Sequence, residues 1–236
     1  MRKTEIMIIA LAALAAVSCQ KAESTGRLVF SLQEGEVADV ITKGNVSDYA
    51  ALPASAAFSL TVKDSKLATV YSGTVGAWDP ETRLASGSYT CDVAYGSDAE
   101  EGPAKPYFLG SAAFTVNGGT TEVPVTVTLG NAIVKIATTA QFNNYYPQSS
   151  FTVTTPDNRF TYDGTAIFVA YQFTVGGTVT NQAGKSFTLE SKTWRADAAT
   201  CYKVTYDVNN VGGVSVTVSF NDTVETVNLG EVDLNS

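Results

Sequence analysis

Histidine is absent from all 236 residues. That removes the commonest general base and the commonest imidazole metal ligand. It also removes every Ser-His-Asp or Cys-His arrangement, while leaving open chemistry built on paired carboxylates. Cysteine occurs three times, at Cys19, Cys91 and Cys201, too few for a disulfide scaffold. Positive charge is scarce, with 15 Lys and Arg against 23 Asp and Glu, for a formal charge of −8. An acidic chain with no basic run does not fit nucleic acid, where neutralising phosphates dominates affinity. It does not fit an electrostatic grip on an anionic membrane surface either. No Gly-rich phosphate loop joins a strand to a helix. Helical periodicity is not sustained over any three-turn window beyond residue 20.

What is there begins with a leader. Arg2 and Lys3 form a basic head, and an apolar run follows at residues 6–17. Twelve residues are short of the roughly 20 that cross a bilayer, but they suit the hydrophobic region of an export signal. The small residues Ala16 and Ser18 flank a cleavage point just before Cys19. A cysteine in that place resembles a bacterial lipobox, whereas an ordinary secretory signal would carry it by chance. The lipobox reading implies a signal peptide over residues 1–18 and a lipidated tether over 19–26. Cys19 would carry fatty acids such as palmitate, and several acyl chains together anchor stably where one binds only marginally. The polar residues 20–24 resemble the acidic export tags of surface lipoproteins in the Bacteroidetes. That favours lipid anchoring in the outer membrane with the body at the cell surface, over a periplasmic placement. The 218 residues left after residue 18 suit one large or two small domains.

Those residues read as strands. Apolar side chains alternate at Leu28, Phe30 and Leu32, then at Phe58, Leu60 and Val62. The same period of two recurs at Tyr89 to Tyr95, Val123 to Leu129, Ile167 to Phe173, Tyr202 to Val208 and Val214 to Phe220, as expected of strands with one buried face. Asp64-Ser65-Lys66, Asn117-Gly118-Gly119, Asp157-Asn158 and Asp163-Gly164 are turns. Leu67 to Tyr71 is expected to return as a strand. Pro106 to Gly110 returns the chain after an acidic loop, and Ala113 to Val116 is a strand. Pro124, lacking an N–H, suits an edge. Phe142, Tyr145 and Tyr146 mark a short helical turn. Turn signals every 8–12 residues indicate β-sandwiches. The chain therefore reads as all-β, with one sandwich over residues 27–130 and a second over 131–236. The seam at Gly130-Asn131 has no linker, so close coupling is expected. Cys91 and Cys201 are expected as buried thiols in different cores.

The segment from Leu84 through Ser86-Gly87-Ser88-Tyr89-Thr90 to Tyr95-Gly96 resembles one in a family of Bacteroides lipoproteins named for domain of unknown function 4493. The resemblance continues through residues 106–111 and 114–116 and passes the seam, where the family usually has Ala at the position of Gly130. It includes Phe142, Arg195 and the strands at 201–207 and 214–223. It implies a lipoprotein of two tandem transthyretin-like or immunoglobulin-like sandwiches, similar in architecture to fimbrillin subunits that polymerise by donating a strand. It carries no catalytic residue and no cofactor.

Four classes of site follow from the residues. A glycosidase needs two carboxyl groups set across a sugar, and Asp79, Glu81, Asp98, Glu100 and Glu101 lie on loops that could supply them. Nothing in the sequence pairs them, so no enzyme is expected. Calcium wants six to eight oxygens. Asp98 to Gly102 and Asp157-Asn158 suit it only loosely, so no metal site is assigned. Recognition of a surface glycan or protein is the third class, with Trp78, Asp79, Trp194 and Arg195 as candidate ligand residues. Either indole could instead plug the end of a sandwich. Assembly is the fourth class, with residues 224–234 or 27–33 as a donated strand, although Asp222-Thr223 turns the last strand back onto its neighbour. Asp222-Thr223-Val224 also resembles an O-glycan acceptor in Bacteroidetes. The oligomeric state is left open.

Overall fold

The computed structural model describes residues 24–34, 46–190, 193–208, 214–220 and 223–228. Lipidation at Cys19, the leader and the Asp222 acceptor lie outside the described residues. The first half holds β1 (Thr25–Glu34), β2 (Ser59–Asp64), β3 (Thr69–Thr74), β4 (Leu84–Ala85), β5 (Gly87–Tyr95), β6 (Gly102–Pro103), β7 (Phe108–Val116) and β8 (Gly119–Leu129). The second half holds β9 (Ala132–Thr138), α1 (Ala140–Tyr145), β10 (Gln148–Thr154), β11 (Arg159–Tyr162), β12 (Ile167–Val169), β13 (Gln172–Thr180), β14 (Ser186–Glu190), β15 (Trp194–Arg195), β16 (Cys201–Val208), β17 (Val214–Phe220) and β18 (Thr223–Asn228). The described residues are all-β apart from α1 and three single 3-10 turns. Thr139 caps α1 by accepting the N–H of Phe142 at 3.1 Å, and the ring of Phe142 is fully buried.

Seven strands of the first half form one sheet in the order β3-β2-β5-β7-β8-β1-β4. Strands β7 and β8 are in register only at Phe108–Leu129 and Leu109–Thr128. Beyond that corner the sheet curls, and its two arms face each other. Leu60, Val62, Cys91 and Val93 from one arm share a core with Leu28, Val123, Val125 and Val127 from the other. The strand expected at Ala113 to Val116 is the second half of β7, which starts earlier, at Phe108. One expectation fails here. Pro124 is not on an edge strand, since β8 lies between β7 and β1 and Pro124 pairs with Ser31. It is tolerated because the β7–β8 ladder does not extend to it. The returning strand after the Asp64 turn starts at Thr69, with Leu67 in the turn.

The second half has two sheets. One has the order β11-β10-β13-β14, with β15 also on β13. The other has the order β18-β17-β16-β9-β12-β6. Val134, Ile136, Val204 and Tyr206 of the second sheet meet Phe151, Val153, Phe173 and Val175 of the first in one core. Among the described ladders, β1 with β8 and β9 with β16 are parallel, a direction that alternation does not report.

The six-stranded sheet is apolar on both faces at one end. Cys201 pairs with Ile133, Ile133 with Phe168, and Phe168 with Gly102 of β6. Ile133, Phe168 and Cys201 form a fully buried row facing the first-half core, while their neighbours Val134, Ile167 and Tyr202 face the second. This corrects the placement of the thiols. Cys91 and Cys201 lie in the same core, because side chains alternate across a strand and position 201 falls on the outward face. Neither thiol is in a disulfide. At the seam, Asn131 is buried and its Nδ2 donates to the Lys105 carbonyl at 2.9 Å. Its Oδ1 accepts the Tyr107 N–H at 3.3 Å. A Cβ on Gly130 would stand 2.5 Å from the Tyr107 ring, so the seam is closely packed there.

Candidate functional site

Trp78 follows a 3-10 turn, Val75–Ala77, whose first carbonyl accepts the indole residue's own N–H. That turn aims the ring inward, and it is 8% exposed. The rings of Tyr71 and Phe30 meet it edge-on, at 4.8 and 5.4 Å between centroids. Its Nε1 donates to the Leu28 carbonyl at 3.2 Å, satisfying the one polar atom an indole must place. Asp79 beside it is exposed, and its Oδ1 accepts the Glu81 N–H at 2.9 Å to close the following turn.

Trp194 is buried in the second core, stacked on Phe173 at 5.7 Å. Arg195 points the other way, as strand alternation requires, and its Nε lies 3.3 Å from the Asp197 carboxylate in open solvent. The structure therefore places the two indoles in different cores. It leaves Asp79 and Arg195 as the exposed members of the predicted set, on opposite halves. The four residues do not converge on one site.

The loop carboxylates are not gathered into a pair either. Glu81 meets Arg27 at 2.7 Å and Glu100 meets Lys105 at 3.3 Å. Asp98 accepts from the Tyr171 hydroxyl at 3.4 Å, and its negative charge pushes that exposed phenol above its ordinary range. Among the described residues no three acidic or thiol side chains are grouped to hold a metal ion.

The carboxylate that does have a built environment is Glu101. Gly102-Pro103 pairs with β12 as the short strand β6, which brings the acidic loop across the second half. There the Glu101 carboxylate accepts from the Thr155 hydroxyl at 2.5 Å, the Asn158 amide at 3.1 Å and the Ala170 N–H at 2.8 Å. Hydrogen bonds to a charged acceptor are the stronger kind. Three of them, 54 to 69 residues away in sequence, make Glu101 a tie between the halves. The sequence carries only a weak sign of this, in the Asp157-Asn158 turn that presents the amide. Nothing local links that turn to residue 101.

The terminal strand pairs internally. β18 lies antiparallel on β17 from Phe220–Thr223 to Ser215–Asn228, as the turn at 222–223 suggests. β1 pairs with β8 over nine residues.

The chain belongs to the family described as domain of unknown function (DUF4493), which matches residues 24–234. No curated protein matches it. Several solved structures are similar to it over most of their length. A fimbrial assembly protein from Parabacteroides distasonis is 9% identical, with a TM-score of 0.46, and the match covers 87% of this chain and 98% of that one. A candidate cell adhesion protein from Bacteroides uniformis is 13% identical, with a TM-score of 0.46, covering 81% and 97%. A candidate polysaccharide-binding protein from Bacteroides thetaiotaomicron is 8% identical, with a TM-score of 0.42, covering 87% and 98%. Likeness at this level says nothing of what this chain binds or assembles with.

Proposed function

We propose that this chain is a non-enzymatic, lipid-anchored protein of the cell envelope, whose β-body serves adhesion or accessory binding at the cell surface. What carries the reading is the sequence of residues 1–18, which reads as an export signal with Cys19 directly after it, five residues before the first described residue of that body. The arrangement of polar side chains supports it. The loop carboxylates that catalysis would need are engaged in turns, ion pairs and the Glu101 tie. The tandem-sandwich reading, with a boundary at Gly130-Asn131, is part of the proposal. The curled first sheet and the two facing sheets of the second half support it.

Recognition of a surface glycan is the second reading. With both indoles buried, it falls to Asp79 and Arg195 and the loops around them. Assembly by strand donation is the third. It would require β1 or β18 to leave a complete ladder.

Protease shaving of intact cells, with a lysed-cell control, tests the location. Loss of the protein from intact cells is expected, and protection until lysis would move it to the periplasm. Labelling with a fatty-acid analogue tests the anchor, with loss of label expected in Cys19→Ser. Retained label in that variant would sink the lipid reading.

A further inference from the structure

We propose that the end of the first half carrying Leu67 seats on the surface of the bilayer that holds the anchor, so that the second half projects away from it. This rests on lipidation at Cys19. The first part of the argument is where the described chain begins. The Ser24 carbonyl accepts the Ser86 N–H at 2.7 Å and its hydroxyl at 2.8 Å, and the Ser24 hydroxyl lies 3.4 Å from the Asn117 carbonyl. Ser24 is thus fixed beside the β7–β8 hairpin and the start of β5. The Asp64–Leu67 turn is at the same end, because Asp64 pairs with Tyr89 and Gly87 with Val116. An extended chain spans at most about 3.3–3.6 Å per residue. The acylated cysteine is therefore within about 18 Å of Ser24, and this end of the body cannot leave the membrane surface by more than that.

The second part is what this end presents. Leu67 is 74% exposed, the most exposed large apolar residue described. It is not a frayed tip. Asp64 Oδ1 accepts the N–H groups of Lys66 and Ala68 at 2.8 and 2.9 Å, and the Leu67 N–H donates to the Asp64 carbonyl at 2.9 Å. Within this clamp Leu67 holds φ = 64°, a left-handed conformation that residues with a Cβ rarely adopt. Asparagine or glycine would fit better and be more soluble. Strain retained together with an exposed apolar side chain points to a use for that side chain. Beside it is an open basin of about 330 Å³, floored by Ala113 and by the stacked Tyr89–Phe114 pair at 5.8 Å. Val70, 42% exposed, lies three residues further on. The turn carries one acid and one base, Asp64 and Lys66, so its approach to a lipid surface meets no net repulsion. A leucine standing out of a rigid turn, with an apolar hollow behind it, suits insertion among acyl chains at the headgroup boundary, where apolar faces bury about 5–10 Å.

The test uses the acylated full chain in phosphatidylethanolamine and phosphatidylglycerol vesicles. An environment-sensitive fluorophore is placed through Leu67→Cys, Ser65→Cys or Ala183→Cys. Ala183 lies in the β13–β14 turn beside the α1 end, at the far end of the molecule. Nitroxide-bearing lipids are expected to quench the probe at positions 67 and 65 several-fold more than at 183. Adding Leu67→Asn, which keeps the turn, is expected to reduce quenching at 65 at least two-fold. Equal quenching at 65 and 183 on protein that floats with the vesicles would overturn the seating and leave the anchor standing. Unchanged quenching at 65 in Leu67→Asn would also overturn it, since proximity through the tether would then suffice. Protein that lacks acyl mass and does not float would overturn the anchor, and the seating with it.

Discussion

Two tyrosines four residues apart on β16 should respond in opposite ways to loss of a single oxygen. Both Tyr202 and Tyr206 are buried in the second-half core. The Tyr202 hydroxyl accepts the Asp197 N–H at 3.0 Å and lies 3.5 Å from the Asp197 carboxylate. Among the described residues no atom partners the Tyr206 hydroxyl, although its ring stacks on Phe151 at 4.6 Å. A buried polar group left unsatisfied costs about 1–3 kcal/mol, and a typical made bond contributes about 1 kcal/mol. Tyr206→Phe keeps the stack and leaves a void of a few Å³, worth about 0.1–0.3 kcal/mol at about 24 cal/mol per Å³. It should therefore stabilise by about 1 kcal/mol, raising Tm by about 2–4 °C for a chain of this size. Tyr202→Phe should destabilise by about 1–2 kcal/mol. Burial also pushes the Tyr206 phenol above its ordinary value. Below about pH 10 both folded and unfolded chains keep that proton, so it adds no pH dependence. Above it the unfolded chain loses the proton first, and stability falls by about 1.4 kcal/mol per pH unit. The variant should show a shallower alkaline decline. Urea unfolding at pH 7 and at stepped pH above 10 measures both. A Tyr206→Phe midpoint below wild type, with an unchanged alkaline slope, would refute the claim of an unpartnered buried hydroxyl.

The Glu101 tie should fail in a graded way. Glu101→Ala strands three donors and should cost about 2–4 kcal/mol in urea unfolding, while Glu101→Gln, which keeps one oxygen acceptor, should cost about half as much. Equal stability of all three proteins would show that the tie is ornamental. Gly177 pairs with Phe151, and a Cβ there would collide with the Ser150 carbonyl oxygen. Gly177→Ala must push β10 from β13, so a loss of about 3 kcal/mol or an insoluble product is expected. A thermal scan within a degree of wild type would contradict that packing.

Strand existence was legible because one-sided burial writes a period of two into the sequence. Tyr89 to Tyr95 and Val123 to Leu129 alternate with hardly a fault, and both are strands. Strand partners were not legible. Nothing in residues 25–34 says that they run parallel to 119–129, since alternation is the same for either direction. Pro124 misled for a related reason. The missing N–H reports a local gap in one ladder, whereas strand order is set by the whole sheet. Trp78 and Asp79 looked like a binding pair because adjacent residues on a loop can share a surface. The Val75–Ala77 turn rotates one inward and leaves the other in water. Glu101 was read as one acid among several because its partners arrive from two distant segments, the β10–β11 turn and the β12–β13 connection.

The least legible feature was the two-faced sheet, and it has the largest consequence. Residues 132–134 read as Ala, Ile and Val without alternation, which is what burial on both faces requires. The seam at Gly130-Asn131 is thus a break in the chain's direction but not in the hydrophobic interior. Pulling the halves apart would expose Ile133, Phe168 and Cys201. At about 1.5–3 kcal/mol for each of the two large side chains, that comes to roughly 5 kcal/mol before the Glu101 bonds are lost. It is comparable with the entire stability of many domains, about 5–15 kcal/mol. Neither half should therefore persist after the other has unfolded. The two tryptophans make this measurable, since each core holds one. In Trp194→Phe the remaining indole reports the first half, and in Trp78→Phe it reports the second, while far-UV circular dichroism reports both. Within each variant the fluorescence and dichroism transitions in urea should coincide, the signature of one cooperative unit. If fluorescence leads dichroism in one variant and lags it in the other, each half is stable without the face it shares, and the buried row at Ile133 contributes far less than its burial implies.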